Sequence, residues 1–335
     1  MKKKIVALIM SMVLAVTFTA CGSSSDNTES KKDNGKEKIT IAYQSSIAYA
    51  PILVMMNQKL IEKHYDGEVN IDWQMLANGA AINEGLTSGS VDIGCMGAAP
   101  AITGIKAGIP GKIFSGISSQ PYGILTNQDD INSLKDITDQ DQIAITGLNS
   151  HPHILLAMAA KAYLGDAHAL DGKLTVLSNA DGYTSLLSGA VQCHMVISPY
   201  NFMEEAADNV HEIEIGEDVW PNGNTFIVGV ASNKLKENKP ELYQAVCDAM
   251  EEAMEYIKEN PQETAEILSD GYDATADEIL SWMNDPASSY TTQLQGIMDL
   301  ADFMVEAGFL ENGPKDISEI AFDNVKAVSY THLTL

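Results

Sequence analysis

Short apolar segments alternate with longer amphipathic ones from residue 38 onward, and this alternation predicts strands and helices in turn. Predicted strands lie at 39–43, 69–73, 93–96 and 112–117, with helices at 50–60, 80–87 and 100–107 between them. The order continues with strands at 142–146, 174–177 and 194–197 and helices at 152–164 and 183–187. Strands and helices in strict alternation are typical of a parallel sheet covered by helices on both faces.

One pattern occurs twice, 100 residues apart. The sequence LTSGSV at 86–91 returns as LLSGAV at 186–191, and each copy precedes an apolar strand and then a proline, Pro100 or Pro199. The glycine in each copy stands where a helix ends, because glycine adopts the left-handed conformation at little cost. A proline is tolerated in the first turn of the helix that follows. The repeat therefore predicts two α/β lobes of similar build.

The last third of the chain returns to an apolar strand and then continues with acidic amphipathic helices. Residues 226–231 are continuously apolar, as in the centre of a sheet, and residues 240–260 show helical periodicity. We therefore expect the chain to leave the first lobe, build the second and come back. The predicted bounds are 38–122 with 225–326 for lobe 1, and 123–224 for lobe 2.

Both ends of the chain differ from the predicted body. Lys2 to Lys4, an apolar run at 5–19 and Ala20 before Cys21 predict a signal peptide at 1–20. The sequence around Cys21 resembles a bacterial lipobox, in which Cys21 receives lipid, although a plain secretory signal remains an alternative. Residues 21–37 are polar and predict a flexible tether. Residues 327–335 resemble a translated sequencing adapter, so we expect a non-native tail there.

Charge narrows the choice of ligand. The chain has 46 acidic and 20 basic residues, a net charge of −26, and every basic residue is a lysine. Such an acidic surface repels a phosphate backbone, which argues against a nucleic-acid partner. Without arginine the protein also has no bidentate clamp for an anion. The composition, 45% hydrophobic and 20% charged, is otherwise that of a soluble globular protein.

Three segments then carry a family resemblance: SGSVDIGCMGAAPAI at 88–102, LNSHPHILL at 148–156 and SGAVQCHMVISPYN at 188–201. With the lipobox, they resemble a solute-binding lipoprotein of an ABC importer. The type is the nitrate, sulfonate and taurine (NitT/TauT) one, to which binding proteins for thiamine pyrimidine precursors are related. The resemblance implies a type II periplasmic-binding-protein fold, with a ligand cleft between two α/β lobes that close on the ligand. It also implies an ABC permease and an ATPase as partners.

Candidate ligand contacts follow from the predicted strands, because ligands of open α/β sheets bind beyond the carboxyl ends of strands. The residues in those turns are Gln44, Ser45, Tyr49, Gly97, Ala98, Ser118, Asn149, Ser150, His151, Ser198, Tyr200 and Asn201. Asp181, before the helix predicted at 183–187, is a further candidate, as an N-cap or as the partner of a ligand amine. At Gly97 and Ala98 the small residues let backbone N–H groups approach a ligand. Asn149 and Ser150 also suit an N-cap.

The sequence contains few features that would indicate an enzyme, a cofactor site or a metal site. It contains no nucleophile elbow, zincin motif, Walker loop or dinucleotide fingerprint, so we expect no enzyme and no cofactor. His151, His153 and His194 lack a carboxylate or cysteine at ligand spacing, so we expect no metal site. The position of His151 at a helix N-terminus disfavours its protonated form. Cys95, Cys193 and Cys247 are expected to be buried and inert.

The combined prediction is an extracytoplasmic, lipid-anchored, monomeric binding component of an ABC importer that captures a small organic solute. Two ligand classes remain possible, a sulfonate-, taurine- or nitrate-like anion and an aminopyrimidine-like solute. The absence of arginine slightly favours a neutral, zwitterionic or amino-bearing ligand. Two alternatives remain at this point. One is an enzyme of the same fold from pyrimidine or menaquinone-precursor metabolism, and the other is a sensory module that presents its ligand to a membrane receptor.

Overall fold

A computed structural model describes residues 36–216 and 219–328. The strands in chain order are β1 (Glu37–Tyr43), β2 (Val69–Met75), β3 (Ile93–Gly97), β4 (Gly111–Ser119), β5 (Tyr122–Thr126), β6 (Ile143–Ile145), β7 (Leu174–Val176), β8 (Cys193–Ile197), β9 (His211–Ile213), β10 (Ile227–Ser232), β11 (Ser289–Tyr290), β12 (Leu294–Gln295) and β13 (Ala327–Val328). The predicted signal peptide and Cys21 lie outside the described residues. The tether was predicted one residue too long, because Glu37 already pairs with Val69 in the first sheet.

The helices in chain order are α1 (Ala50–Gln58), α2 (Leu60–His64), α3 (Gly79–Ser88), α4 (Ala98–Lys106), α5 (His151–Leu164), α6 (Asn179–Ser188), α7 (Tyr200–Glu205), α8 (Asn233–Asn238), α9 (Pro240–Glu259), α10 (Pro261–Ser269), α11 (Ala276–Met283) and α12 (Ile297–Glu306). The single helix predicted at 50–60 is wrong, because the backbone at Lys59 has a left-handed φ of 53° that separates α1 from α2. No helix of the described residues is long and apolar enough to cross a membrane.

Two sheets organise the described chain. The six-stranded sheet has the order β11-β4-β10-β3-β1-β2, and the five-stranded sheet has the order β7-β6-β8-β5-β9. The mixed α/β class and the central position predicted for residues 226–231 are confirmed. The expected parallel pairing holds for β1, β2 and β3, but the sheet is mixed, because β10 enters antiparallel between β3 and β4. The reason is topological: β10 returns from the other sheet rather than from a βαβ crossover.

The chain passes between the sheets twice. It leaves the six-stranded sheet after β4, forms all five strands of the other sheet and returns with β10. The passages lie at 119–122 and 213–227, and the predicted lobe bounds near them remain predictions. One apolar core cluster includes strand residues of both sheets, among them Ile41 and Ile143. Ala327–Val328 of the predicted tail pair with β12, and the rest of that tail lies outside the described residues.

The repeat in the sequence is a repeat in the structure. Helix α3 ends at Gly89, with φ of 74°, and α6 ends at Gly189, with φ of 76°. Strands β3 and β8 then begin 100 positions apart in number, at Ile93 and Cys193. The predicted left-handed glycine at each helix end is therefore confirmed. Cys95 and Cys193 are buried free thiols as predicted, while Cys247 is partly exposed.

Candidate functional site

A cavity of about 40 Å³ lies where turns from the two sheets meet. Its wall includes residues at the carboxyl ends of four strands: Gln44 after β1, Gly97 in β3, Thr146 after β6 and Ile197 in β8. This is the location expected for a ligand of an open α/β sheet. The volume is that of a few water molecules, so the cavity in this state admits a compact chemical group.

The structure brings six of the thirteen predicted contact residues to this cavity, namely Gln44, Ser45, Tyr49, Gly97, Ser150 and His151. The Gln44 amide Nε2 donates to the Tyr49 hydroxyl at 2.8 Å, and this bond fixes two polar groups of the wall. Ser150 is the N-cap of α5 and its hydroxyl accepts from the His153 N–H, as its position before Pro152 predicted. Pro152 also borders the cavity.

Ala98 and Ser118 do not line the cavity, and their polar groups have protein partners. The Ala98 N–H donates to the Phe226 carbonyl at 2.9 Å, so the backbone donor predicted for a ligand is already used. The Ser118 hydroxyl is buried and donates to the Ala48 carbonyl at 2.9 Å. Both residues hold neighbouring segments of the six-stranded sheet together.

Asn149 and Asp181 are exposed and also lie outside the cavity wall. Asn149 has a left-handed φ of 59°, and its N–H donates to His153 Nδ1 at 2.9 Å. The prediction that Asp181 precedes its helix was wrong: α6 begins four residues before the predicted start, and Ser178 is its N-cap. The Ser178 hydroxyl also donates to the Asp181 carboxylate at 2.7 Å.

Ser198 lies in the turn between β8 and α7, Tyr200 and Asn201 are the first two residues of α7, and none of the three lines the cavity. The Ser198 carbonyl accepts a hydrogen bond from the Ser46 hydroxyl at 2.6 Å, which joins this turn to the segment after β1. Tyr200 belongs to a small apolar cluster, and its ring lies 6.0 Å from that of Tyr183. Asn201 is buried among the described residues, and none of them provides a partner for its Oδ1.

The other ten residues of the wall are outside the predicted set of thirteen: Ser46, Asn78, Gly79, Pro100, Thr146, Pro152, Asn179, Ile197, Phe226 and Ile227. Asn78 is the N-cap of α3, and Asn179 is the first residue of α6. The 100-residue repeat could have predicted the helix starts at the cavity, because Gly79 and Asn179 are 100 positions apart at the starts of equivalent helices. Phe226 had no local signal, since only the return of the chain before β10 places it at the cavity.

His151 is the most buried polar side chain of the wall, with 1% of its surface exposed. Its Nδ1 accepts the Ala99 N–H at 3.3 Å, across the junction of α4 and α5. Burial lowers its pKa to about 3, which keeps the ring neutral at physiological pH, as its position predicted. No described residue bonds to its Nε2. One of the residues that line the cavity therefore carries a buried ring nitrogen without a partner among the described residues.

The three histidines considered as metal ligands lie in three different environments. His151 borders the cavity, the His153 Nε2 lies 3.5 Å from the Asp171 carboxylate, and His194 contacts Glu204. Within the described ranges, no group of three or more histidine, cysteine, aspartate or glutamate side chains is arranged to hold a metal ion. The cavity wall itself carries no side chain with a formal charge.

Comparison with known proteins agrees with this architecture. A model of the NMT1-like family matches residues 32–269, more than two thirds of the chain. The chain belongs to the NMT1-like family. The match covers β1 to α10 and every residue of the cavity wall named above. No curated protein matches this NMT1-like chain.

Solved structures with the same fold include three binding proteins. The aliphatic sulphonate-binding protein SsuA of Escherichia coli is 20% identical, with 88% of this chain and 95% of that chain covered and a TM-score of 0.66. SsuA of Xanthomonas axonopodis pv. citri, bound to MOPS, is 18% identical, with coverages of 88% and 100% and a TM-score of 0.69. The nitrate-binding protein NrtA of Synechocystis PCC 6803 is 14% identical, with coverages of 87% and 86% and a TM-score of 0.67. The predicted family resemblance and the two-lobed periplasmic-binding fold are confirmed.

Proposed function

We propose that this NMT1-like chain is the extracytoplasmic solute-binding component of an ABC importer, which captures a small organic solute and delivers it to a permease driven by an ATPase. The observation that carries the proposal is the cavity at the carboxyl ends of strands from both sheets, with the buried Nε2 of His151 unpartnered at its wall. A ligand between two sheets stabilises their closed arrangement, which is the signal that a permease reads. The names of the structural neighbours, which bind sulfonates or nitrate, support the same role.

Two ligand classes fit the uncharged wall. A sulfonate-, taurine- or nitrate-like anion would be held by neutral donors, at the first turns of α3 and α6 and at His151, because helix N-termini favour negative charge. An aminopyrimidine-like solute would pair its acceptors and donors with His151 and Asn179 and place its ring near Phe226. In α4, the first two N–H groups are already bonded to Phe226 and His151, so this helix contributes less to binding an anion.

A thermal-shift panel with nitrate, methanesulfonate, taurine and 4-aminopyrimidine tests the proposal. A compound present at 100 times its dissociation constant adds about 2.7 kcal/mol of stability, which raises the melting temperature measurably. We expect Asn179→Ala to weaken the shift, because Asn179 lines the cavity, and Asp181→Asn on the same helix to preserve it. The proposal fails if no compound raises the melting temperature, or if Asn179→Ala leaves every shift unchanged. Recovery of a chemically altered compound after incubation would indicate an enzyme instead.

The proposal includes membrane attachment through a lipid on Cys21, supported by the basic, apolar and small residues that precede it. Fractionation of expressing cells tests it: the native chain should sediment with membranes, whereas Cys21→Ser should be retained as uncleaved precursor or released. Cys247→Ser is the matched control, since this thiol belongs to the folded part of the chain. Light scattering of the signal-less protein should give the mass of a monomer.

A further inference from the structure

The imidazole of His151 connects the two halves of the cavity wall. His151 is the first residue of α5, which follows β6 of the five-stranded sheet, whereas its partner Ala99 lies in α4, which follows β3 of the six-stranded sheet. The Ala99 N–H donates to Nδ1 at 3.3 Å. No described residue bonds to Nε2, the second ring nitrogen. The two nitrogens therefore differ: Nδ1 bonds to the other half, whereas Nε2 has no partner among the described residues, in a side chain that lines the cavity.

The bond from Ala99 decides which nitrogen carries the proton. A neutral imidazole has one N–H donor and one bare acceptor nitrogen, and Nδ1 must be the bare one because it accepts the Ala99 N–H. Burial lowers the pKa of His151 to about 3, so the ring holds one proton throughout the physiological range. The proton consequently lies on Nε2. Toward the cavity, His151 is a hydrogen-bond donor and has no acceptor to offer.

Neighbouring groups fix the orientation of the ring. The His151 ring centre lies 4.2 Å from that of Phe226 and 5.4 Å from that of Trp220, which contacts it edge-on. Gly97 approaches so closely that a β-carbon there would lie 2.8 Å from His151 Cβ. These contacts hold the ring in the orientation in which Nδ1 meets the Ala99 N–H.

We propose that His151 determines ligand specificity by acting only as a hydrogen-bond donor, through Nε2–H. Contact between the two halves fixes this donor role. A solute with an acceptor oxygen or nitrogen at this point binds, whereas a solute with an N–H or O–H there is excluded. This inference rests on the proposed binding function and deepens it. When Ala99 moves away, either ring tautomer is available, and closure selects the one with Nε2–H. A ligand that accepts from Nε2 thus stabilises the closed arrangement, whereas a ligand that donates leaves a buried donor unpaired.

The first experiment observes the proton directly. Nuclear magnetic resonance of the protein with ¹⁵N-labelled histidine distinguishes the two tautomers, and His151→Gln assigns the signal. We expect the Nε2–H tautomer at pH 7, with no protonation down to pH 5. Ala99→Pro removes the N–H that selects the tautomer and should produce a mixture, while Ala99→Gly keeps that N–H and should preserve the Nε2–H form. An Nδ1–H tautomer or an imidazolium at pH 5 in the native chain would overturn the inference.

The second experiment compares two planar ions of similar size, nitrate, which only accepts hydrogen bonds, and guanidinium, which only donates them. We expect nitrate to perturb the His151 signal at a concentration at least about tenfold below that needed for guanidinium, although the net charge of −26 attracts guanidinium. His151→Gln offers both a donor and an acceptor, so the preference should vanish. His153→Gln, two residues away and outside the cavity wall, should keep it.

The outcomes separate the two claims. Equal affinity for both ions in the native chain, or a preference that survives His151→Gln, would refute the donor role while leaving the binding function intact. If no compound of the thermal-shift panel binds, the proposed function fails, and the tautomer measurement still decides the chemistry of His151 by itself.

Discussion

In both copies of the repeated helix and strand, a large side chain packs against a glycine, but the helix and the strand exchange these roles between the copies. Where α3 meets β3, the helix contributes the large Ile82 and the strand contributes Gly94, where an added β-carbon would overlap the Ile82 side chain. Where α6 meets β8, the helix contributes Gly182 and the strand contributes the large His194. The positions correspond at an interval of 100. Large and small residues have thus exchanged sides, which preserves close packing while changing its chemistry.

The exchange places one buried polar pair in the otherwise apolar core of the five-stranded half. His194 and Glu204 are both fully buried, and the Nδ1 and Oε1 atoms lie 2.6 Å apart. Burial raises the pKa of the Glu204 carboxyl, and the hydrogen bond to His194 opposes this effect. At the equivalent strand position in the six-stranded half, the side chains nearest Gly94 are all apolar. The comparison teaches that the two halves share a backbone plan but depend on different interactions for their stability.

The largest expected effect comes from breaking the buried pair. Glu204→Ala leaves the His194 imidazole buried without its partner, and such losses typically cost about 3–5 kcal/mol of unfolding free energy. Urea denaturation measures the change. Glu205→Ala, the adjacent exposed carboxylate, should alter the unfolding free energy by less than about 0.5 kcal/mol. Equal effects of the two variants would show that the buried pair contributes no special stability.

Overfilling the apolar counterpart should have a smaller effect. Gly94→Ala places a methyl group against Ile82 and should cost about 1–3 kcal/mol of unfolding free energy. Adding Ile82→Ala makes room for that methyl group, so the double variant should be more stable than the sum of the two single changes predicts, by at least about 0.5 kcal/mol. Strict additivity in urea denaturation would mean that these two positions do not compete for space.

At the cavity, Gly97→Ala tests how closely the two halves must approach. The added methyl group would lie 2.8 Å from His151 Cβ, and overpacking of about 1–3 kcal/mol corresponds to roughly 5- to 150-fold weaker ligand binding. Titration calorimetry with a binder from the thermal-shift panel measures this loss. Gly147→Ala is the matched control, because its methyl group would meet nothing within 4 Å. The same loss in both variants would exclude the steric explanation.

The smallest effect should be a pH dependence at His168, which joins the segment after α5 to the end of α12. Hydrogen bonds from its ring to the Ala307 carbonyl and to Asp171 raise its pKa in the folded protein. Its contribution to stability is therefore complete below the ordinary value of about 6.5 and is lost as pH rises through the raised folded value. His168→Gln should remove this slope from melting curves measured between pH 6 and pH 8. An unchanged slope would contradict the assignment to His168.

Much of the fold follows from local sequence signals. The repeated LTSGSV and LLSGAV segments predict both helix ends at Gly89 and Gly189, and the continuous apolar run before Ser232 predicts a central strand. Both succeed because glycine conformation and strand burial are properties of a few adjacent residues. Strands β5 and β9 were not predicted, since they lie in stretches without a clear period. The antiparallel direction of β10 depends on the path of the chain between the sheets, and local sequence patterns do not indicate that path.

The site was predicted less completely because it depends on residues far apart in sequence. His151 and Gly97 were expected at strand ends, but their contact requires the two sheets to meet. Asp181 was misplaced because Ser178 caps α6 earlier than the apolar pattern suggested. Phe226 was missed because it reaches the cavity only after the chain returns from the second sheet. The pairing of His194 with Glu204 likewise joins a strand to a helix across the Ser198 turn.

The order of strands along the chain also predicts which of the two sheets completes its folding first. All strands of the five-stranded sheet lie between residues 122 and 213, so that sheet has all its strands as soon as this continuous segment is available. In the other sheet, β3 and β4 remain without their shared neighbour until β10, at residues 227–232, has been made. Because closing a longer loop costs more chain entropy, the second half to begin in sequence should be the first to finish folding. Until β10 arrives, the edges of β3 and β4 that it will cover stay open, and in this interval the growing chain is most vulnerable to mispairing.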